Sequence, residues 1–315
     1  MLRMTKMPNK KKPKHKQAHL HRWARIDRAG AAHDARVHLG AAYDLLDVDA
    51  DFGLNVLQQA YVVRATERKN LTSFAALLAF YRALELVDGI SVLVKAGCVV
   101  AATPLMRSLL ESAMHARYLM TVNDERVAAS YIISQYVEGL TKIAERAEEH
   151  AGGSAPTIIG KQAEKHLESL LAEDRLFREA RVELARLGLS RSVPAAWYEV
   201  FDGPRTLGGM SGRLKDEYLE TMFERAYDRW SAAVHGDDTT QALAPRLHDV
   251  EDTENLLRPL RSPSARSITE IVRVAHELFV ALLTHHLQYF RELPEGLEAW
   301  RELEERLRVS LGEVE

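Results

Sequence analysis

Apolar residues recur along this chain at the spacing of an α-helix, and nowhere for long at the spacing of a strand. Between Leu71 and Ala96, the residues Phe74, Leu77, Leu78, Tyr81, Leu84 and Ile90 recur at helical spacing and are expected to face inward, because side chains three, four and seven positions apart project the same way. No stretch alternates with period two for long enough to form a strand, and no segment repeats at the periods of about 20–50 residues that mark solenoids. With 17 Gly and 10 Pro in 315 residues, few positions interrupt a helix. The pattern predicts an all-α protein, an up-and-down helical bundle with extra terminal helices.

Punctuation divides the chain into a basic arm (1–28), a short helical lead-in (29–51), a bundle core (52–293) and a C-terminal helix (294–315). We expect helices over Ala31–Asp49, Phe52–Lys69 and Leu71–Ala96, the last started by Asn70, Thr72 and Ser73 and ended by Gly97. Val99–Val122 follows, with Pro104 in the first turn of its main part and Asn123-Asp124 as its stop. Glu125–His150 and Thr157–Leu187 read as a hairpin around 151–156, and the glycine-rich 188–214 as a connector. Asp216–His235, Ser264–Arg291 and Leu297–Leu311 complete the set.

Several functions are excluded early. The most apolar stretch, Phe74 to Met106, is broken by Arg82, Glu85, Asp88 and Lys95, so no membrane span and no membrane partner are expected. Cys98 is the only cysteine, which removes intramolecular disulfides and cysteine zinc sites and suits a cytoplasmic setting. The alternating Asp47, Asp49 and Asp51 imitate a calcium loop, but the glycine falls one place late, at Gly53, and Gln58 stands where a bidentate Glu is needed. Asp49 or Asp51 reads instead as a helix cap. His285 and His286 diverge by about 100° on a helix and cannot share an ion unaided. Gly208, Gly209 and Gly212 lack the strand and the Lys-Ser/Thr pair of a phosphate loop. We expect neither a metal nor a cofactor.

Charge is distributed unevenly. Residues 1–28 hold ten Lys or Arg and one acid, which leaves a net −12 on the rest of a chain whose total is −3. Lys10, Lys11, Lys12, Lys14, Lys16, Arg22 and Arg25 could contact nucleic-acid phosphates by displacing counterions; the plainer alternative is a solvated terminus.

Two helices carry polar residues at helical spacing. In the apolar Val99–Val122 segment, Arg107, Glu111, His115 and Tyr118 form one stripe that must be partnered, either as a clasp fixing helix register or as the lining of a cleft. In Asp216–His235, Tyr227, Ser231 and His235 share a face, and His235 sits in the last turn, where the helix dipole favours imidazolium. Arg229 lies about 120° around the helix from His235. The two converge only if the helix end frays or a second subunit completes the site.

These two helices, RSLLESAMHARYL (Arg107–Leu119) and YDRWSAAVHG (Tyr227–Gly236) with Tyr218 and Trp197, resemble a family of uncharacterised bacterial proteins, domain-of-unknown-function family 5677, over about residues 70–293. More distantly, Arg229 with five residues before His235 is similar to the Arg-x4-6-His signature of HEPN helical domains, although Trp230 takes a position that is polar in most of those nucleases. The HEPN resemblance implies a homodimer whose Arg229 and His235 meet at a shared cleft to cut RNA without metal, in bacterial stress or phage defence. His235 would move the proton and Arg229 would stabilise phosphoryl charge. Arg107, Glu111, His115, Tyr227 and Ser231 would support them, and the arm would bind RNA. A non-catalytic helical interaction or sensor protein, and a bundle whose polar seam lines a small-molecule pocket, are the alternatives.

Overall fold

The computed structural model describes residues 28–66, 70–135, 174–188, 196–235, 265–291 and 294–312, with side chains excepted at 61–66, 232–235, 265 and 310–312. Every regular element among them is helical: α1 (Arg28–Leu39), a 3-10 turn (Gly40–Asp44), α2 (Leu45–Thr66), α3 (Leu71–Lys95), α4 (Val99–Val122), α5 (125–135), α6 (Arg175–Gly188), a 3-10 turn (Trp197–Glu199), α7 (Leu207–Leu214), α8 (Glu217–His235), α9 (Ala265–Phe290) and α10 (Leu297–Gly312). The basic arm and the expected hairpin loop 151–156 lie outside the described residues.

Helix α4 is the hub, packed against α3, α7, α8 and α9. Its most deeply buried side chains are apolar: Met106, Leu109, Leu110, Met114 and Leu119 join Phe80 and Ile90 of α3 and Phe279 of α9 in one continuous core. The α3–α4 hairpin closes as the sequence predicts, but Phe74 and Tyr81, expected inward, are 44% and 46% exposed, because the buried face of α3 is centred on Phe80, Val87 and Ile90. Asn70 caps α3, its side chain accepting from the Thr72 and Ser73 amides at 2.9 and 3.2 Å. At the other end Gly97 adopts φ +71°, and the amides of Gly97 and Cys98 bond back to Val94 and Leu93 at 2.8 and 2.7 Å, the paired closure of a left-handed helix end. Asn123, at φ 48°, ends α4.

Three local expectations are corrected. The break foreseen near residue 51 falls at Gly40–Asp44, where Gly40 has φ +54°, so α2 runs unbroken through Asp49 and Asp51 and neither caps a helix. Asp49 is instead drawn inward to His276 of α9. Pro104 lies well inside α4 rather than in its first turn; the carbonyl deprived of a partner is that of Val100, an exposed residue at which water can replace the lost bond. Gly53, inside α2, is a contact point: a Cβ there would stand 2.3 Å from Leu84 Cδ2 and 2.9 Å from Phe279 Cε2, so its bareness lets α2 lie close to both α3 and α9.

The connector 188–214 is partly ordered by its own chemistry. Thr206 caps α7, accepting from the Gly209 amide at 3.0 Å, and the 3-10 turn inserts Trp197 into the core beside α4. Through α7 and the cap Asp216, whose carboxylate accepts from the Leu219 amide at 3.1 Å, the chain enters α8 with its Tyr227–Ser231 face turned to α4.

Candidate functional site: the polar seam between α4 and α8

The two stripes singled out in the sequence meet. Arg107 Nε donates to Glu111 Oε1 at 2.9 Å, Nη1 to Ser231 Oγ at 3.1 Å and Nη2 to the Tyr227 hydroxyl at 2.9 Å. The Tyr227 hydroxyl in turn donates to Glu111 Oε1 at 2.9 Å. Arg107 also lies over the Tyr227 ring, 4.9 Å from its centroid, and Phe223 stacks on the same ring with centroids 4.6 Å apart. Moving from Arg107 to Glu111 on α4 means moving from Ser231 back to Tyr227 on α8, so the two helices run antiparallel along the seam.

Arg107 and Glu111 are about three-quarters buried, with side-chain exposures of 23% and 28%. Burial works against the charge on Arg107, yet the Glu111 carboxylate and the Tyr227 hydroxyl raise its pKa on balance. Burial, reinforced by Glu111, pushes the Tyr227 hydroxyl up to about 12, so it stays protonated and remains a donor at neutral pH. The guanidinium spends three N–H groups on the seam and has five; among the described residues, one N–H on each terminal nitrogen has no hydrogen-bond partner.

His115, one turn beyond Glu111, is surrounded by aromatic rings. It packs edge-on against Trp197, with centroids 5.1 Å apart, and near Tyr131 at 6.2 Å and Tyr198 at 6.0 Å. Desolvation alone pulls its pKa down to about 4, leaving it a neutral imidazole. Tyr118, the last member of the stripe, joins the same aromatic group through Trp197 at 6.0 Å. The stripe thus divides into an ionic half that meets α8 and an aromatic half that packs beneath the 3-10 turn.

Arg229 goes elsewhere. It is 62% exposed and pairs with Glu270 of α9 at 3.3 Å, on a different side of α8 from Ser231, as the helical angle requires. The His235 backbone ends α8 one turn past Ser231 on the seam-facing stripe; its side chain lies outside the description. Trp230, which follows Arg229, is a core residue. Glu270 had no sequence signal, since nothing in an isolated α9 marks which exposed carboxylate meets α8.

Sequence reasoning also missed two histidine bridges. His276 Nδ1 lies 2.7 Å from Asp49 Oδ2 and its Nε2 3.0 Å from Glu304 Oε1. His285 Nε2 lies 2.5 Å from Asp216 Oδ2, with Arg117 Nε 3.8 Å from the same oxygen. The divergence expected of His285 and His286 is present: the latter turns inward between Phe80 and Phe290, 4.4 Å from each ring. Among the described residues no group of three or more His, Cys, Asp or Glu is arranged to hold a metal, and no helix is long and apolar enough to cross a membrane.

Fold and seam together define an all-helical protein organised on one central helix, with a charged, hydrogen-bonded joint between that helix and α8. The chain belongs to a family of unknown function, DUF5677, which matches residues 73–254 and so contains the whole seam. No curated protein and no solved structure matches the chain.

Proposed function

We propose that the protein is a HEPN-like, metal-independent endoribonuclease of bacterial stress or phage defence, working in the cytoplasm as a homodimer. The observation that carries this reading is the Arg107–Ser231 contact: it aligns a guanidinium with the α8 stripe whose next member is His235. In the reaction, the His235 imidazole takes the 2′-hydroxyl proton as the 2′ oxygen attacks phosphorus, and returns it to the departing 5′ oxygen as the P–O5′ bond breaks. Arg107 supplies the fixed cation for the equatorial oxygens, and Tyr227, Ser231 and Glu111 hold it in place. Arg229, outward-facing and paired with Glu270, serves the second copy in this reading. The body is acidic, so the Lys10–Lys16 cluster with Arg22 and Arg25 recruits RNA in a salt-dependent way.

The test is cleavage of mixed RNA in EDTA. Wild type should cut; His235→Ala and Arg107→Lys should lose at least about 100-fold, as removal of an acid–base group or a preorganised cation does, with helical content unchanged. Arg229→Ala separates the cations: loss there as well assigns it a role across the dimer. No cutting by wild type overturns the enzymatic reading.

A second reading, a non-catalytic helical interaction or sensor protein, is favoured by a different feature of the same geometry. The Arg107–Glu111–Tyr227 contacts close on themselves, as a register-fixing clasp would. It predicts that Arg107 and Tyr227 variants lose stability and partner binding together and that RNA is left intact.

A further inference from the structure

His276 is the most deeply buried ionisable bridge among the described residues. The ring, on α9, is 2% exposed; Asp49, on α2, is fully buried; Glu304, on α10, keeps 15% of its side chain exposed. Three helices, α2 and the consecutive α9 and α10, therefore meet at one imidazole. Behind Glu304 stands Arg308, its Nε 3.3 Å from Oε1, and Trp300 of α10 stacks on Phe52 of α2 at 4.9 Å, with its indole beside Asp49. No other described side chain hydrogen-bonds or ion-pairs with the ring.

With both carboxylates ionised, only a doubly protonated ring can donate to the two at once, since a neutral imidazole has one N–H and leaves the other nitrogen facing a carboxylate lone pair. In water that mismatch is trivial; here it would strand an anion in a site from which solvent is excluded. Burial also raises the Asp49 pKa, so the extra proton of the bridge is shared between the ring and that carboxyl. Helix α10 packs mainly on the first 3-10 turn and on α2, through Leu297 and Trp300, and its contacts with α9 are otherwise sparse. Between them runs a groove of about 430 Å³, lined on one side by Val280, Leu283 and Leu287 and on the other by Trp300, Arg301 and Glu304. Glu304 is at once a wall of the groove and the anchor of the bridge.

We propose that the Asp49–His276–Glu304 bridge is a protonation-gated latch: the imidazolium holds α10 over the α9–α10 groove, and loss of its proton releases the helix and opens the groove. Burial opposes the charge on the ring, but Asp49 and Glu304 outweigh it, and the net displacement of the His276 pKa is upward. The stabilisation is thus complete below the ordinary histidine range and disappears as pH rises through the elevated value. The latch opens on the alkaline side. It is independent of the RNA reading, because Asp49, His276 and Glu304 all lie outside the seam.

Hydrogen exchange of the full-length protein from pH 6 to pH 10, corrected for intrinsic exchange rates, tests the proposal. Amides of 297–312 should lose at least about tenfold in protection across a single-proton transition, while α3 and α4 stay protected. His276→Gln should abolish the transition and leave α10 weakly protected at every pH. Should that variant fail to fold, Glu304→Gln, at the less buried end, should move the wild-type transition to lower pH. Protection of α10 that does not change with pH, or that falls only together with α3 and α4, overturns the latch; so does an unshifted transition in either variant.

Discussion

The hydroxyl of Tyr227 accepts from Arg107 and donates to Glu111, in both cases over 2.9 Å, so one phenol joins the cation and the anion of an ion pair on another helix. Removing it by Tyr227→Phe deprives two charged groups of a partner while leaving the ring and its stacking on Phe223. Hydrogen bonds to charged groups contribute about 1.5–3 kcal/mol each but are not additive within a network. A net loss of about 2 kcal/mol is expected in urea unfolding. A cycle with Glu111→Gln should give a coupling of about 0.5–3 kcal/mol; strictly additive losses would mean that the ring of contacts does not act as a unit.

Gly53→Ala pits helix propensity against space. Alanine should gain up to about 1 kcal/mol in a helix interior. A Cβ placed 2.3 Å from Leu84 and 2.9 Å from Phe279 must push both aside, and overpacking of this kind costs about 1–3 kcal/mol. Packing should win, with a lower melting temperature. An unchanged or raised value would show that α2 can move away from α3 freely.

His286 has both ring nitrogens buried without partners among the described residues, and desolvation pulls its pKa down to about 3. The unfolded chain binds the proton more tightly, so this residue weakens the fold as pH falls from the ordinary histidine value toward the folded one. The slope approaches about 1.4 kcal/mol per pH unit. His286→Phe should flatten that part of the stability profile between pH 6.5 and 4 and raise stability at neutral pH, measured by urea titrations at several pH values. An identical pH profile in the variant would contradict the buried, unpartnered placement.

Asp216 combines two tasks, capping α8 and receiving His285. The His285 hydrogen bond holds its pKa below the usual carboxylate value, against the opposing effect of burial. Its stabilisation is present above that usual value and is lost as pH falls through the lowered one. Asp216→Asn keeps a capping oxygen and removes the charge; a loss of about 1–2 kcal/mol at pH 7 is expected, shrinking toward zero at low pH. Asp216→Ala should lose about 1 kcal/mol more through the missing cap. Thermal melts of the two variants at pH 7 and pH 3 decide it.

Much of the local structure was legible because its causes are local. Asn70 begins α3 by accepting from amides two and three residues on, and Gly97 ends it because a positive φ costs glycine little. The polar stripe on α4 was visible as a fault in an apolar face, and the angular separation of Arg229 from Ser231 and His235 followed from helical pitch alone. Boundaries misled where a distant residue intervened: Asp49 has the chemistry of a cap, yet a histidine 227 positions away pulls it into the core.

The sequence by itself determined that the chain is helical, where α3 and α4 begin and end, and which face of each carries polar groups, since these depend on contacts within a few residues. Only the tertiary structure decided that Arg107 meets Tyr227 and Ser231, that Arg229 meets Glu270, and that one imidazole joins α2, α9 and α10. Helical periodicity fixes the direction a side chain leaves its own axis, whereas its partner is chosen by how all the axes pack around α4, a property of the whole core and of no single segment.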